Sequence, residues 1–193
     1  MNTKQTVAIL PGIFSGRHTT RRLRRTLKHA GYTVVTNTTE ADIIFAHSAG
    51  CLWLPKTKTK QTFVIVNPPY WPGKSMAQRG LSRLRTNALF WRYGIPAGRW
   101  LERNFLGVYY TILEPRRTLY IARHMAQYDL CETLDLGNPV VLVRSQVDDW
   151  LTPDLDALQQ TYRNLRVVSM PGEHDDFNYH PERYVDLLQS IAD

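Results

Sequence analysis

The feature that most constrains the fold is a series of short, largely apolar runs that alternate with amphipathic segments. Runs of this kind occupy residues 6–10, 62–66, 139–143 and 166–170. A continuous apolar run of this length is typical of a strand that is buried on both faces of a sheet. The alternation predicts an α/β protein: a three-layer α/β/α sandwich with a mostly parallel sheet.

The order of the strands is left open by one short connection. Strands are also predicted at 32–36 and 42–45, and only residues 37–41 join them. This link has no room for a crossover helix. Either the unit is abbreviated, or the pairing of these strands differs from a plain right-handed crossover.

The segment from 70 to 135 has a different character and is predicted to be a helical cap inserted into a single domain, 1–193. It carries eleven of the 21 aromatic residues, and its pieces at 76–91, 99–105 and 116–128 have helical patterns. Its aromatic side chains either line a pocket or form the insertion's own small core.

Charge is distributed unevenly along the chain. Residues 1–131 contain 20 Lys and Arg against 5 Asp and Glu, whereas residues 132–193 contain 4 against 12. Such asymmetry indicates an anionic partner, a lipid surface or a nucleic acid, at the basic cap. The alternative is that the two parts neutralise each other within one domain. The oligomeric state is not determined.

The cysteines and the N-terminus indicate a reduced, cytoplasmic protein. Cys51 and Cys131 have neither metal-ligand spacing nor a disulfide pattern. The apolar run at 7–10 is too short for a signal peptide and is followed by no cleavage site. No metal or organic cofactor is expected.

Residues 46–50, Ala-His-Ser-Ala-Gly, follow the strand predicted at 42–45. Small residues on both sides of Ser48 permit a sharp turn from a strand to a helix. At such a turn the serine is held in a strained conformation with its oxygen exposed at the end of the sheet. The pattern is that of a nucleophile elbow, with Ala46 in place of the first glycine.

Three residue types suited to acyl transfer follow strands in the order serine, acid, histidine. Ser48 follows one strand, Asp148 and Asp149 follow the strand at 139–143, and His174 follows the last strand. Ligands of open parallel sheets bind beyond these strand ends. A serine hydroxyl becomes a nucleophile when an imidazole takes its proton, and a carboxylate orients that imidazole.

On these residues, over 6–67 and 137–192, the chain resembles a small α/β-hydrolase. The resemblance implies that Ser48 is the nucleophile, His174 the base and Asp149, four residues before Pro153, the acid in preference to Asp148. It also implies an oxyanion hole made by two backbone N–H groups and a pocket beneath the cap. The N–H groups are those of Ile13 and Ala49, and the candidate substrate-binding residues are Phe14, Trp71, Trp91 and Trp100.

The resulting hypothesis is a serine hydrolase of the carboxylesterase, thioesterase or lipase type. It would cleave an ester or related acyl bond of a small-molecule substrate through an acyl-enzyme intermediate. The alternative is a catalytically retired fold that binds an anionic partner. A third hypothesis assigns the same residues to thioester or amide cleavage or to acyl transfer.

Overall fold

A computed structural model describes residues 5–12, 19–68, 128–147 and 155–192, together with 116, 120, 121 and 124. Within these residues six parallel strands form one sheet in the order β2-β1-β3-β4-β5-β6. The strands are β1 Thr6–Leu10, β2 Thr33–Val35, β3 Ile43–His47, β4 Thr62–Val66, β5 Val140–Ser145 and β6 Leu165–Met170. The predicted α/β class with a parallel sheet is confirmed.

Helices cover the sheet, and most of them lie where the amphipathic pattern predicts. They are α1 Arg21–His29, α2 Leu130–Asp135, α3 Leu155–Thr161 and α4 Pro181–Ala192, with 3₁₀ turns at Thr38–Glu40, Ser48–Trp53 and Asp176–Asn178. The short α2 was not predicted; Asp129 caps it by accepting from the Cys131 N–H at 2.9 Å. Residues 116, 120, 121 and 124 are helical, whereas the helices predicted at 76–91 and 99–105 lie outside the described residues.

The short link at 37–41 is explained by the strand order. β1 lies between β2 and β3, and Val7 pairs with Val34 on one side and with Ile43 on the other. The link therefore passes over one strand, a distance of about 10 Å, and the turn Thr38–Glu40 is sufficient. β2 and β3 are therefore not neighbours in the sheet. This is the second of the two alternatives, in which the strand pairing differs from a plain right-handed crossover.

Two hydrophobic cores lie on opposite faces of the sheet, because side chains alternate along each strand. In β3, Phe45 faces the core beneath α1 and α4, whereas Ile44 and Ala46 face the core beneath the 3₁₀ turn at Ser48, α2 and α3. Strands buried on both faces require the continuous apolar runs seen in the sequence.

No helix within the described ranges has the length and apolar composition to cross a lipid bilayer. The predicted cap, 70–135, lies mostly outside those ranges. Its last segment is α2, whose Leu130 and Leu134 pack in the core that also contains Ile44 and Ala46.

A carboxylate holds the beginning of β3, the strand that precedes Ser48. Asp42 Oδ2 accepts hydrogen bonds from the backbone N–H and from the hydroxyl of Thr6, each at 2.7 Å. The backbone N–H of Thr6, followed by its hydroxyl, holds the pKa of Asp42 below its usual value. The contact ties the first residue of β1 to the residue that precedes β3, at the end opposite to the candidate site.

We expect the free energy of unfolding to reflect this contact in a pH-dependent way. The folded pKa is lowered, so the stabilisation is present above the unfolded pKa of about 3.9 and disappears as pH falls through the folded pKa. Asp42→Asn should therefore be less stable than wild type at pH 7, by well under about 1 kcal/mol because the carboxylate is exposed. Urea unfolding at pH 7, 5 and 3 measures the difference, with Asp186→Asn on the exposed face of α4 as the control. A difference that grows in acid would contradict the prediction.

Candidate active site

The backbone at Ser48 has the conformation expected of a nucleophile elbow. Ser48 follows β3 directly and has φ +50°, in the left-handed region that a non-glycine residue adopts at an energetic cost. A 3₁₀ turn, Ser48–Trp53, begins at the serine, and Leu54 ends it before Pro55. The serine side chain is 5% exposed and lies at the C-terminal edge of a central strand.

Two glycines allow the end of β1 to pack directly on the elbow. A Cβ on Gly50 would lie 2.1 Å from the Leu10 carbonyl oxygen, which is closer than two non-bonded atoms can approach. A Cβ on Gly12 would lie 3.1 Å from Ser48 Cβ and 3.0 Å from His47 Nδ1. The segment that leads into the predicted oxyanion loop is therefore in contact with the serine.

His47 connects the elbow to the loop that carries His174. It is 2% exposed, and its Nε2 lies 2.9 Å from the His174 carbonyl oxygen and 3.4 Å from a carboxylate oxygen of Asp175. Its ring centroid lies 4.8 Å from that of His174 and 4.6 Å from that of Phe177. These contacts bring the two loops of Ser48 and His174 to the same edge of the sheet.

Asn67 makes a second connection to the same loop. It follows β4 with φ +47° and is fully buried. Its Nδ2 donates to the His174 carbonyl and to the Ser145 hydroxyl, both at 2.8 Å, and its Oδ1 accepts from the Ser145 N–H at 2.9 Å. The ends of β4 and β5 and the histidine loop are thus joined by one amide.

Contacts of Gly172 and Asp176 also shape the loop after β6, which carries His174. Gly172 has φ +115°, and a Cβ there would lie 2.3 Å from the Asp176 carboxylate carbon. The carboxylate of Asp176 is buried and accepts from Arg183 Nη1 at 3.1 Å. This ion pair fixes the 3₁₀ turn Asp176–Asn178 against the start of α4.

Burial keeps two groups near the elbow neutral. Desolvation raises the pKa of Cys51 well above its ordinary value, so this thiol is a core residue and not a second nucleophile. Desolvation, followed by the carboxylate of Asp176, raises the pKa of Tyr184, which packs against Phe45 and Phe177.

Metal binding has one candidate within the described part of the chain. Ligand atoms of His47, His174 and Asp175 lie within 4.8 Å of one another. However, His47 Nε2 already has the His174 carbonyl as its hydrogen-bond partner. We therefore interpret the group as a hydrogen-bonded cluster.

The structure describes three of the predicted site residues, namely Ser48, Ala49 and His174. Ala49 is fully buried in the first turn after the serine. The remaining candidates stay predictions because they lie outside the described ranges: Ile13, Phe14, Trp71, Trp91, Trp100, Asp148 and Asp149.

Sequence reasoning missed the contacts of His47 and Asn67. The elbow pattern assigns no role to His47, the residue before the serine. The strand alternation could have placed it, because Ile43, Phe45 and His47 share the face that α4 and the histidine loop cover. For Asn67 the available signal was a lone asparagine between a buried strand and two prolines.

A cavity of about 470 Å³ lies beside this edge of the sheet. Its described lining is mostly apolar and consists of Leu10, Pro11, Trp53, Arg116 and Tyr120. The Trp53 and Tyr120 rings are stacked with centroids 6.0 Å apart. Its volume falls in the range of small-molecule sites, roughly 300–1,000 Å³.

A parallel sheet with a left-handed serine after a central strand is the arrangement of α/β-hydrolases. No family model and no curated protein sequence matches the chain, but many solved structures do. An esterase from Exiguobacterium antarcticum matches with TM-score 0.64 and 12% identity, covering 99% of this chain and 92% of its own. A thioesterase domain from the curacin biosynthetic pathway matches with TM-score 0.62 and 15% identity, covering 96% of this chain and 91% of its own.

A third match is an α/β-hydrolase enzyme from a Medee basin deep-sea metagenome library, with TM-score 0.57 and 13% identity, covering 98% of this chain and 90% of that chain. At such identities the similarity establishes the fold. The chain has the α/β-hydrolase fold, and these structural neighbours are hydrolases by name.

Proposed function

We propose that this protein is a serine hydrolase that cleaves an ester or a related acyl bond. Ser48 Oγ attacks the acyl carbonyl while His174 takes its proton, and Asp149 orients the His174 ring. The N–H groups of Ala49 and Ile13 stabilise the oxyanion. His174 then protonates the leaving group, and water releases the acyl group from Ser48 by the reverse sequence.

The observation that carries this proposal is the left-handed backbone of Ser48. Strain of this kind costs roughly 1–3 kcal/mol and persists where the surrounding structure imposes it, as at active sites. Here Gly50 and Gly12 give the end of β1 close access to the elbow. A strand that merely ended in an ordinary turn would need neither the strain nor the close approach.

The cavity beside Leu10 and Pro11 supports a small acyl substrate. Leu10 and Pro11 precede Gly12, which contacts Ser48, so the cavity adjoins the segment that borders the serine. Its apolar and aromatic lining suits an acyl chain or an aromatic group. The ester, thioester and amide variants of the reaction all use the same residues.

Labelling with a fluorophosphonate probe tests the proposal, because the probe forms a covalent bond with an activated serine. We expect the wild-type protein to be labelled, Ser48→Ala to be unlabelled and His174→Ala to be labelled at least about 100-fold more slowly. Ser190→Ala, on α4, is the matched serine control and should be labelled like wild type.

Two results would contradict the assignment. Labelling that survives Ser48→Ala would exclude the nucleophile, and labelling at the wild-type rate in His174→Ala would exclude the base. A folded wild-type protein that resists the probe but binds anionic vesicles in a salt-dependent way would instead favour the alternative, a catalytically inactive fold that binds an anionic partner.

A further inference from the structure

The carbonyl oxygen of His174 accepts hydrogen bonds from two buried side chains on neighbouring strands. Nε2 of His47, the last residue of β3, lies 2.9 Å from it, and Nδ2 of Asn67, just after β4, lies 2.8 Å from it. These two donors are 2% and 0% exposed. Buried bonds of this length are not exchanged for bonds to water, so they restrain the loop strongly.

We propose that His47 and Asn67 are positioning residues, which hold the backbone of His174 so that its imidazole stays aligned with Ser48. The inference rests on the proposed function, in which His174 takes the serine proton. Neither side chain is assigned contact with the substrate; both act through the carbonyl of His174.

The surroundings of His47 direct its N–H toward the loop. Its ring packs against the rings of both His174 and Phe177, with centroid distances of 4.8 and 4.6 Å. A carboxylate oxygen of Asp175 lies 3.4 Å from the same Nε2 and provides a second acceptor. The ring therefore has little freedom to turn its donor away from the loop.

Asn67 is fixed equally well. Its amide oxygen accepts from the Ser145 N–H at 2.9 Å, and its amide nitrogen also donates to the Ser145 hydroxyl at 2.8 Å. Its φ of +47° is a conformation that asparagine tolerates better than most residues. The hydrogen bonds of the Asn67 amide thus connect the rigid ends of β4 and β5 to the loop after β6.

This arrangement gives the nucleophile and the base a common support. Ser48 is bonded directly to His47, and His47 binds the loop of His174, so a displacement of the elbow carries the base with it. Proton transfer requires heavy-atom distances of about 2.6–3.2 Å. A misplacement of about 1 Å costs up to 100-fold in rate.

The test compares His47→Leu, which removes the donor, with His47→Gln, whose amide restores one. For p-nitrophenyl acetate we expect His47→Leu to lower kcat about 30-fold with KM changed less than about twofold, and His47→Gln to recover most of the loss. Asn67→Asp keeps the acceptor for Ser145 but loses the donor, and should lower kcat about tenfold. His180→Leu, at the far end of the same loop with its side chain 43% exposed, is the control and should behave like wild type.

Hydrogen exchange of the segment 172–180 provides a readout that does not depend on turnover. Its amides are protected by bonds such as Asp176 N to Glu173 O at 3.1 Å, and exchange there should become faster in His47→Leu while α1 is unchanged. An unchanged kcat with unchanged exchange overturns the proposal, and so does a loss of kcat that His47→Gln fails to restore. If the wild-type protein hydrolyses no ester, the proposed function fails, while exchange still decides whether the two side chains hold the loop.

Discussion

Ser48→Gly should abolish ester hydrolysis and at the same time yield a more stable protein than Ser48→Ala. Both variants lack the hydroxyl, so kcat/KM should fall about 10⁴-fold or more in each. Glycine adopts φ +50° without the steric cost that a Cβ imposes, whereas alanine retains that cost. After allowance for the greater flexibility of glycine in the unfolded chain, the difference in unfolding free energy should be about 1 kcal/mol.

Urea unfolding of the two variants, together with the hydrolysis assay, measures both parts of this prediction. Because the two proteins differ only by one methyl group at residue 48, the loss of the hydroxyl cancels in the comparison of stability. A less stable glycine variant would show that the backbone at Ser48 is not strained. Residual activity above about 1% of wild type in either variant would remove Ser48 as the nucleophile.

Gly50→Ala should destabilise the protein by about 3 kcal/mol or more, at the upper end of what overpacking costs. The new Cβ would lie 2.1 Å from the carbonyl oxygen of Leu10 and 2.8 Å from its carbonyl carbon. β1 pairs with β2 on one side and β3 on the other, so this backbone cannot retreat. Relief requires the elbow itself to move, and fluorophosphonate labelling of Ser48 should be lost as well.

Gly31→Ala is the matched control for this steric effect. Gly31 has φ +96°, but a Cβ there would meet no atom within 4 Å. The variant should therefore show only the conformational cost, about 1 kcal/mol, with labelling unchanged. Equal destabilisation of the two variants in thermal and urea unfolding would mean that close approach to Leu10 is not what requires glycine at position 50.

The layered architecture was predictable because strands that are buried on both faces have to be apolar throughout. The run at 62–66 became β4 with the same bounds, and the run at 6–10 became β1. The predicted strand 42–45 extends two residues further, to His47, because β3 pairs with β4 along its whole length. The short α2 was not predicted, because six residues are too few to show a helical period in the sequence.

The sequence by itself determined which polar and small residues follow the ends of the predicted strands. Small residues around one serine, and polar residues after successive apolar runs, are local properties, so the elbow at Ser48 and the loop of His174 could be located from them. Only the tertiary structure decided which partners hold that loop. The bonds from His47 and Asn67 to the His174 carbonyl span 127 and 107 residues. Such contacts depend on strand order and register, and these are set by packing across the whole sheet.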